Sequence, residues 1–285
     1  METNRSFTLI ADSGSTKTEW AILVNHETSY RCFESQGINP FVQTEETIKS
    51  ILKEELCPAF AASEQPERIF FYGAGCTPEK APIIKRCLQQ FFPKAHIDVQ
   101  SDLLGATRAL LGNNPGIAAI LGTGSNSCLY DGKEIIKQTP SMGFILGDEG
   151  SGASLGKALV ADVAKGIIDP KICEMFYAET GLTIPDILER VYKKPLPNRF
   201  LAGLVPFLAR HKAEKAIQHL IISNFRTFFK RNITPYNRTD LGVYFIGGLA
   251  KGFEVELRKA AHEEGFSVKD IFERPMPGLI SYHQE

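Results

Sequence analysis

The chain lacks most of the features that would place it outside the soluble globular proteins. No apolar run approaches the roughly 20 residues that a membrane-spanning helix needs, so no membrane segment is expected. Lys and Arg number 32 against 33 Asp and Glu, a formal net charge of −1. No basic run or stripe stands out, so the electrostatic footprint of a nucleic-acid binder is missing. Six cysteines, Cys32, Cys57, Cys76, Cys87, Cys128 and Cys173, form no CxxC and read as reduced, mostly buried thiols. The six histidines show no metal-ligand spacing. No export signal precedes the first apolar strand, so a cytoplasmic protein is expected.

The familiar catalytic signatures are missing too. The nearest approach to a GxxxxGK[ST] phosphate loop is Gly152-Ala153-Ser154-Leu155-Gly156-Lys157-Ala158. Its glycines stand too close together, and Ala158 cannot ligate Mg²⁺. Gly122-Thr123-Gly124 is followed by Ser127 where a dinucleotide fingerprint needs its third glycine, and it leads into a strand. No GxSxG, HExxH or HRD set occurs.

What is present is a pair of like turns. Phe7 to Ala11 is an apolar strand that runs into Asp12-Ser13-Gly14-Ser15-Thr16-Lys17-Thr18, and Glu19 to Val24 returns. Ile117 to Leu121 runs into Gly122-Thr123-Gly124-Ser125-Asn126, and Ser127 to Tyr130 returns. This is a weak internal repeat of strand, Gly/Ser/Thr turn, strand. Either both are ordinary tight hairpins, or their backbone N–H groups and glycines form concave anion sites. Two such turns facing each other would clamp a polyphosphate. Asp12 closes its strand, where it either caps the turn or holds Mg²⁺, directly or through water. Lys17 is equally readable as a phosphate contact or a solvated turn residue.

Between the turns the order is β-β-β-α-β-α-β-α. Strands are expected at Tyr30 to Ser35, Arg68 to Tyr72 and Ile97 to Gln100. Helices are expected at Thr44 to Leu56, from Pro78 to about Phe92, and at Leu103 to Leu111. Gly112 to Gly116 is the best linker, which divides the chain into 1–112 and a larger 113–285. The second half restarts with β-turn-β. Helical segments follow at Glu149 to Lys165, Pro170 to Glu179, Pro185 to Tyr192, Pro197 to Arg210 and Ala213 to Asn232. A buried strand, Val243 to Ile246, runs into Gly247-Gly248. A helix from Glu254 to about Glu264 and a short final helix from Pro277 to His283 complete the reading. Whether the tail, 275–285, returns to the first domain is left open. The mixture is an α/β architecture.

Five motifs in order, Asp12-x-Gly14 to Thr18, Ser101-Asp102, Gly122 to Asn126, Gly147-Asp148-Glu149-Gly150 and Gly247-Gly248, resemble the actin-like ATPase superfamily of sugar kinases, actin and DnaK-type chaperones. Within it the chain is most similar to the BadF/BadG-type ATPase family, in its N-acetylglucosamine kinase branch. The resemblance covers nearly the whole chain and implies two ribonuclease H-like domains with an interdomain cleft. It implies that Gly14, Ser15, Thr16, Lys17, Gly122, Thr123 and Gly124 bind the phosphates of ATP, and that Gly247 and Gly248 pack on its adenosine. It makes Asp102 the catalytic aspartate, and Asn39, Ser125 and Asp148 ligands of the sugar. Animal sugar kinases of this kind carry Gly-Trp where this chain has Ser141-Met142, so Met142 enters the sugar-binding set as a departure. The implied cofactors are ATP and Mg²⁺.

The residues themselves offer a second role for some of these positions. Asp102 also reads as the N-cap of the helix beginning at Leu103. Glu149 reads as charge at a helix N-terminus, which leaves Asp148 as the better sugar ligand. The expected activity is transfer of the γ-phosphate of ATP to an amino sugar, foremost the 6-hydroxyl of N-acetylglucosamine. The other readings are an ATPase that activates an acyl-CoA dehydratase or reductase, and a sugar-sensing regulator without catalysis. The activator would hold an iron–sulfur cluster through paired cysteines, and the regulator would need a DNA-binding segment. The expected partner is a small sugar, with no nucleic acid and no membrane; a homodimer is compatible with the sequence.

Overall fold

In the computed structural model, which describes residues 7–14, 16–24, 29–60 and 64–284, the chain divides into two compact units. One runs to Asn113 and resumes at Pro275; the other is Asn114–Arg274. Each is built on a five-stranded mixed sheet.

The first unit contains β1 (Phe7–Ser13), β2 (Lys17–Val24), β3 (Tyr30–Gln36), β4 (Pro66–Gly73) and β5 (His96–Ser101), in the order β3-β2-β1-β4-β5. β1 to β3 form an antiparallel meander, and β4 and β5 add parallel on the other side of β1. The second unit repeats the plan with β6 (Gly116–Leu121), β7 (Ser125–Tyr130), β8 (Ile135–Thr139), β9 (Val243–Ile246) and β10 (Val268–Phe272). Its order, β10-β9-β6-β7-β8, has the same three antiparallel and two added parallel strands. The weak repeat in the sequence is therefore a repeat of topology. The central strands β1 and β6 are buried almost throughout, as strands covered on both faces are.

Two strands escape a sequence reading. β8 lies at a sheet edge with Ile136, Lys137 and Gln138 exposed, and β10, at the opposite edge, carries Lys269 and Asp270 outward. Neither shows an apolar run. Three expected helices also change form. Thr44 caps a helix of Glu45–Ile51, which then widens over Leu52–Leu56. Ala213 to Asn232 is a helix at Lys215–Phe228 with a wide turn over Phe229–Ile233. Pro197 to Arg210 breaks into Pro197–Ala202 and Val205–Arg210. The helix expected from Glu149 begins at Gly152, capped by Ser151.

Each sheet has its own core. In the first unit Trp20 is fully buried, stacks near Phe33 and Phe71, and donates its indole N–H to Ser35 Oγ at 2.8 Å. In the second, Phe228 and Phe229 pack on each other and on Phe245 of β9, and Phe225 lies near Phe253. Of the six thiols, Cys76, Cys87 and Cys128 are buried, Cys57 and Cys173 are half-buried and Cys32 is exposed at the edge strand β3, which corrects the expectation that most are buried.

The final helix, Met276–Gln284, packs on the helix Asp102–Leu111, where a side chain at Gly278 would overlap the Ala109 carbonyl. His283 stacks on Phe70 at 3.8 Å. Arg108 Nη1 donates to the Tyr72 hydroxyl at 2.9 Å, and that hydroxyl donates to His283 Nε2 at 2.9 Å. Burial, assisted by the Arg108 charge, pushes the His283 imidazole down to about 4, so it stays neutral and accepts. The unfolded histidine binds a proton below its ordinary 6.5, the folded one only below about 4. The stability from this docking is thus present above pH 6.5 and is lost as pH falls towards 4. Acidification from pH 7 to 4.5 should lower the amide protection factors of the final helix, measured against intrinsic exchange rates at each pH, and His283→Gln, which keeps an acceptor and cannot titrate, should remove that dependence.

Candidate active site

In the first unit β1, β4 and β5 are parallel and in register at their C-terminal ends, with Ser13 opposite Gly73 and Gly73 opposite Ser101. Ligands of open α/β sheets bind outside these ends. The β1–β2 turn is tied from both sides. Gly14 N–H donates to the Lys17 carbonyl, and Gly37 N–H to the Thr16 carbonyl. Ser13 Oγ lies 2.6 Å from Thr18 Oγ1 and exchanges hydrogen bonds with the Ile38 backbone at 2.9 and 3.0 Å. This buried hydroxyl pair sets the path of the chain into Asn39. Asn39 is buried, its side-chain oxygen accepts from Phe41 N–H, and a side chain at Gly75 would collide with it.

Asp12 and Asp102 share this edge. Burial, then the Asp102 and Glu19 carboxylates, push Asp12 up from 3.8 to about 7, against a lowering by Lys17. Burial also raises Asp102, partly offset by the N–H groups of Leu103 and of Asp102 itself. Ser101, and not Asp102, caps the helix, its Oγ accepting from Leu104 N–H at 3.2 Å. The capping alternative for Asp102 is thereby removed. Its carboxylate accepts from Leu103 N–H at 2.9 Å and lies close enough to raise Cys76.

In the second unit the Gly122–Gly124 turn is pinned by a helix. The N–H groups of Gly152 and Ala153 donate to the carbonyls of Gly122 and Thr123 at 2.8 and 3.1 Å. Among the described residues no backbone carbonyl accepts from the N–H groups of Thr123 and Gly124. Ser125 N–H donates to Asp148 Oδ1 at 3.3 Å, and a side chain at Gly124 would press on that carboxylate. Asp148 has a left-handed backbone, φ 54°, as has Met142, φ 59°. Asp148 N–H bonds the Ser141 carbonyl, and a side chain at Gly147 would overlap it. Gly247, φ 131°, abuts the Leu121 carbonyl closely enough to exclude any side chain.

Asp148 and Glu149 are adjacent yet shifted oppositely. Burial raises Asp148, with Glu149 adding and Ser125 N–H and Lys157 opposing. Burial would raise Glu149 as well, but hydrogen bonds from Arg231, its own backbone and Asn232 bring it below its ordinary value. The Glu149 carboxylate accepts from Arg231 Nη1 at 2.8 Å and Asn232 Nδ2 at 3.2 Å. It is an ion-paired strut and not charge at a helix start, since the helix begins three residues later.

The structure thus gathers Asp12, Gly14, Thr16, Lys17, Asn39 and Asp102 around one sheet end of the first unit. It gathers Gly122, Thr123, Gly124, Ser125, Asp148 and Gly247 around one sheet end of the second. Ser15 lies outside the described residues. Lys17 pairs with Glu34 across β2 and β3. Gly248 opens a short helix, Gly248–Gly252, and Met142 is 60% exposed. Sequence reasoning placed Ser13, Thr18 and Ser101 within its motifs but gave them no role of their own; the signal available was a hydroxyl inside or just after an apolar strand. Among the described residues no three His, Cys, Asp or Glu side chains gather as a metal centre. The Asp12–Asp102 pair instead suits a hard cation that takes one or two carboxylates and its remaining oxygens from phosphate or water.

Two sheets of the same mixed topology, each with a glycine hairpin at its strand ends, define the actin-like ATPase fold of the sugar kinases. No protein-family model matches the chain, and no curated protein matches its sequence. Solved structures do. A ROK family glucokinase from Streptomyces griseus, in complex with glucose and AMPPNP, shares the fold at 12% identity, TM-score 0.58, over 98% of each chain. A candidate N-acetylglucosamine kinase from Chromobacterium violaceum does so at 17% identity, TM-score 0.69, over 98% of this chain and 99% of that one. A candidate N-acetylglucosamine kinase from Porphyromonas gingivalis is 46% identical, with TM-score 0.91, over 97% of this chain and 98% of that one. The chain belongs to the family of that Porphyromonas protein.

A raised carboxylate makes a testable demand on the metal-free protein. Folded Asp12 binds its proton up to about pH 7, unfolded Asp12 only up to its ordinary 3.8. Its ionisation therefore costs stability progressively as pH rises from 4 to 7, opposite in sign to His283. Asp12→Asn should flatten that fall and raise stability at pH 8 by about 1–3 kcal/mol in chemical denaturation, the order expected for relieving buried like charge.

Proposed function

We propose that this chain is an ATP-dependent sugar kinase of the BadF/BadG type that transfers the γ-phosphate of ATP to the 6-hydroxyl of N-acetylglucosamine, acting in the cytoplasm. The observation that carries the reading is the 46% identity with the Porphyromonas candidate kinase over nearly the full length of both chains. The AMPPNP and glucose bound to the Streptomyces glucokinase support a nucleoside triphosphate and a sugar as substrates for this fold.

In this reading the N–H groups of Thr123 and Gly124, which no described backbone carbonyl occupies, donate to phosphate oxygens. Gly14, Ser15, Thr16 and Lys17 form the other phosphate turn, and Gly247 and Gly248 flank the adenosine. Asp102 accepts the proton of the attacking hydroxyl. Its raised affinity for a proton brings it nearer the working pH, which suits a general base. Asp148 and Ser125, with Asn39 and Met142, orient the sugar. Asp148 is held at a fixed angle by Ser125 N–H and by its own strained backbone. Mg²⁺ bound at Asp12, directly or through water, would neutralise phosphate charge.

The cysteines favour the kinase over an iron–sulfur activator. Cys128 is buried in β7, and the Cys173 thiol lies 3.8 Å from the carbonyl oxygens of both Val163 and Ile168, so neither is presented as a cluster ligand.

A panel of sugars with MgATP, scored by ADP release, should give turnover stimulated most by N-acetylglucosamine. Asp102→Asn should keep ATP affinity and lower kcat by about 10²–10⁴-fold, the usual worth of a positioned base. Near-normal turnover in that variant would remove Asp102 from the mechanism, and ATP hydrolysis indifferent to every sugar would remove the kinase reading.

A further inference from the structure

The chain as a whole is almost neutral, yet one cavity of the second unit is not. It encloses about 470 Å³ between the helix Lys215–Phe228, the turn that follows it and the helix Glu254–Glu263. Lys215, Arg226, Lys230 and Lys259 line it together with His219, against Glu263 as its one carboxylate. Lys215, His219, Arg226 and Lys230 recur along one face of the same helical run, at spacings that turn them the same way. Arg226 is satisfied by Glu264 at 2.6 Å and Glu263 at 3.3 Å, and Lys230 approaches Glu264 at 3.6 Å. Lys215 and Lys259 make no ion pair among the described residues. Like charges crowded on one helix face repel, and an anion between them relieves that repulsion.

We infer that this cavity is a binding site for a small phosphate monoester, distinct from the proposed transfer site. A dianion matches the two uncompensated lysines, with the hydroxyl of Ser223 on the same wall. The volume is that of a small-molecule site. The cavity has no aromatic ring besides His219 on which a base could stack, which argues against a nucleic acid.

The position of the site gives it a consequence. The helix that carries the cations outward carries Asn224 and Phe228 on its other side. Asn224 Oδ1 accepts from Gly150 N–H at 2.9 Å, Asn224 Nδ2 donates to Ser154 Oγ at 3.0 Å, and Phe228 lies against Gly150. Arg231 and Asn232, in the turn beyond, hold Glu149. One rigid element thus joins the cationic cavity to the Asp148–Gly150 loop.

The test is binding of glucose 6-phosphate, inorganic phosphate and glucose by calorimetry at low salt, to the intact chain. Lys215→Glu/Lys259→Glu, two exposed positions outside the proposed transfer site, and Asp148→Asn serve as variants. Saturable binding of glucose 6-phosphate is expected, weaker binding of phosphate and none of glucose at this site. The charge reversal should weaken the sugar phosphate at least about tenfold, as removal of two charge-assisted contacts implies, while Asp148→Asn leaves it within about twofold. Hydrogen exchange should slow at 215–230 and at 148–151 on binding. Affinity unchanged by the charge reversal, affinity lost instead in Asp148→Asn, or exchange unaltered at 215–230 would each overturn the site. None of these readings depends on whether the chain phosphorylates a sugar.

Discussion

The turn at the end of a sheet has backbone groups that no ladder can satisfy, and this protein's organisation follows from how they are satisfied. In the second unit the first two N–H groups of the helix Gly152–Ala164 take the carbonyls of Gly122 and Thr123. The helix start thereby satisfies two of its orphan groups on the hairpin carbonyls, and the Thr123 and Gly124 N–H groups have no backbone acceptor among the described residues. The same pinning places the Gly147–Ser151 segment, which runs into that helix, beside Gly124 and Ser125. Asp148 is therefore brought to the hairpin by the connection that feeds the helix. Among the described residues of the first unit no helix start does this. The buried Ser13–Thr18 hydroxyl pair and the Ile38 backbone hold the hairpin, and with it the loop that carries Asn39.

Charge at these sheet ends is compensated unevenly. Asp12 and Asp102 are desolvated and in each other's field, and both are raised. Among the described residues neither is neutralised by a buried cation; Lys17 is the last of the influences on Asp12 and is itself engaged with Glu34. Glu149 is the contrast. It is one residue from Asp148, yet Arg231 and Asn232 compensate it. Raised carboxylates of this kind cluster at functional sites as a general rule.

The glycines divide in the same way. Gly147 and Gly247 are required by backbone close by, since a side chain would overlap the Ser141 or the Leu121 carbonyl. A side chain at Gly122 or Gly248 would meet nothing within 4 Å. Open space beside a glycine that packing does not require is what a close-approaching ligand would use.

Much of this was legible in the residues. The paired hairpins, the strands β1, β2, β6, β7 and β9 and the final helix follow from apolar runs broken by glycine and hydroxyl residues, because such local patterns act through nearest neighbours. The order of five motifs pointed to a superfamily that the topology bears out. What the residues alone left undecided is what depends on partners far along the chain. The capping alternatives for Asp102 and Glu149 were settled by Ser101 and by Arg231, the latter 82 positions from its partner. The edge strands β8 and β10 exist because a sheet lies beside them, not because their sequences are apolar. The sequence by itself determined that two glycine-turned hairpins form. Only tertiary structure decided which carboxylates are desolvated and which are paired, because burial and charge compensation belong to the folded environment and not to the residue.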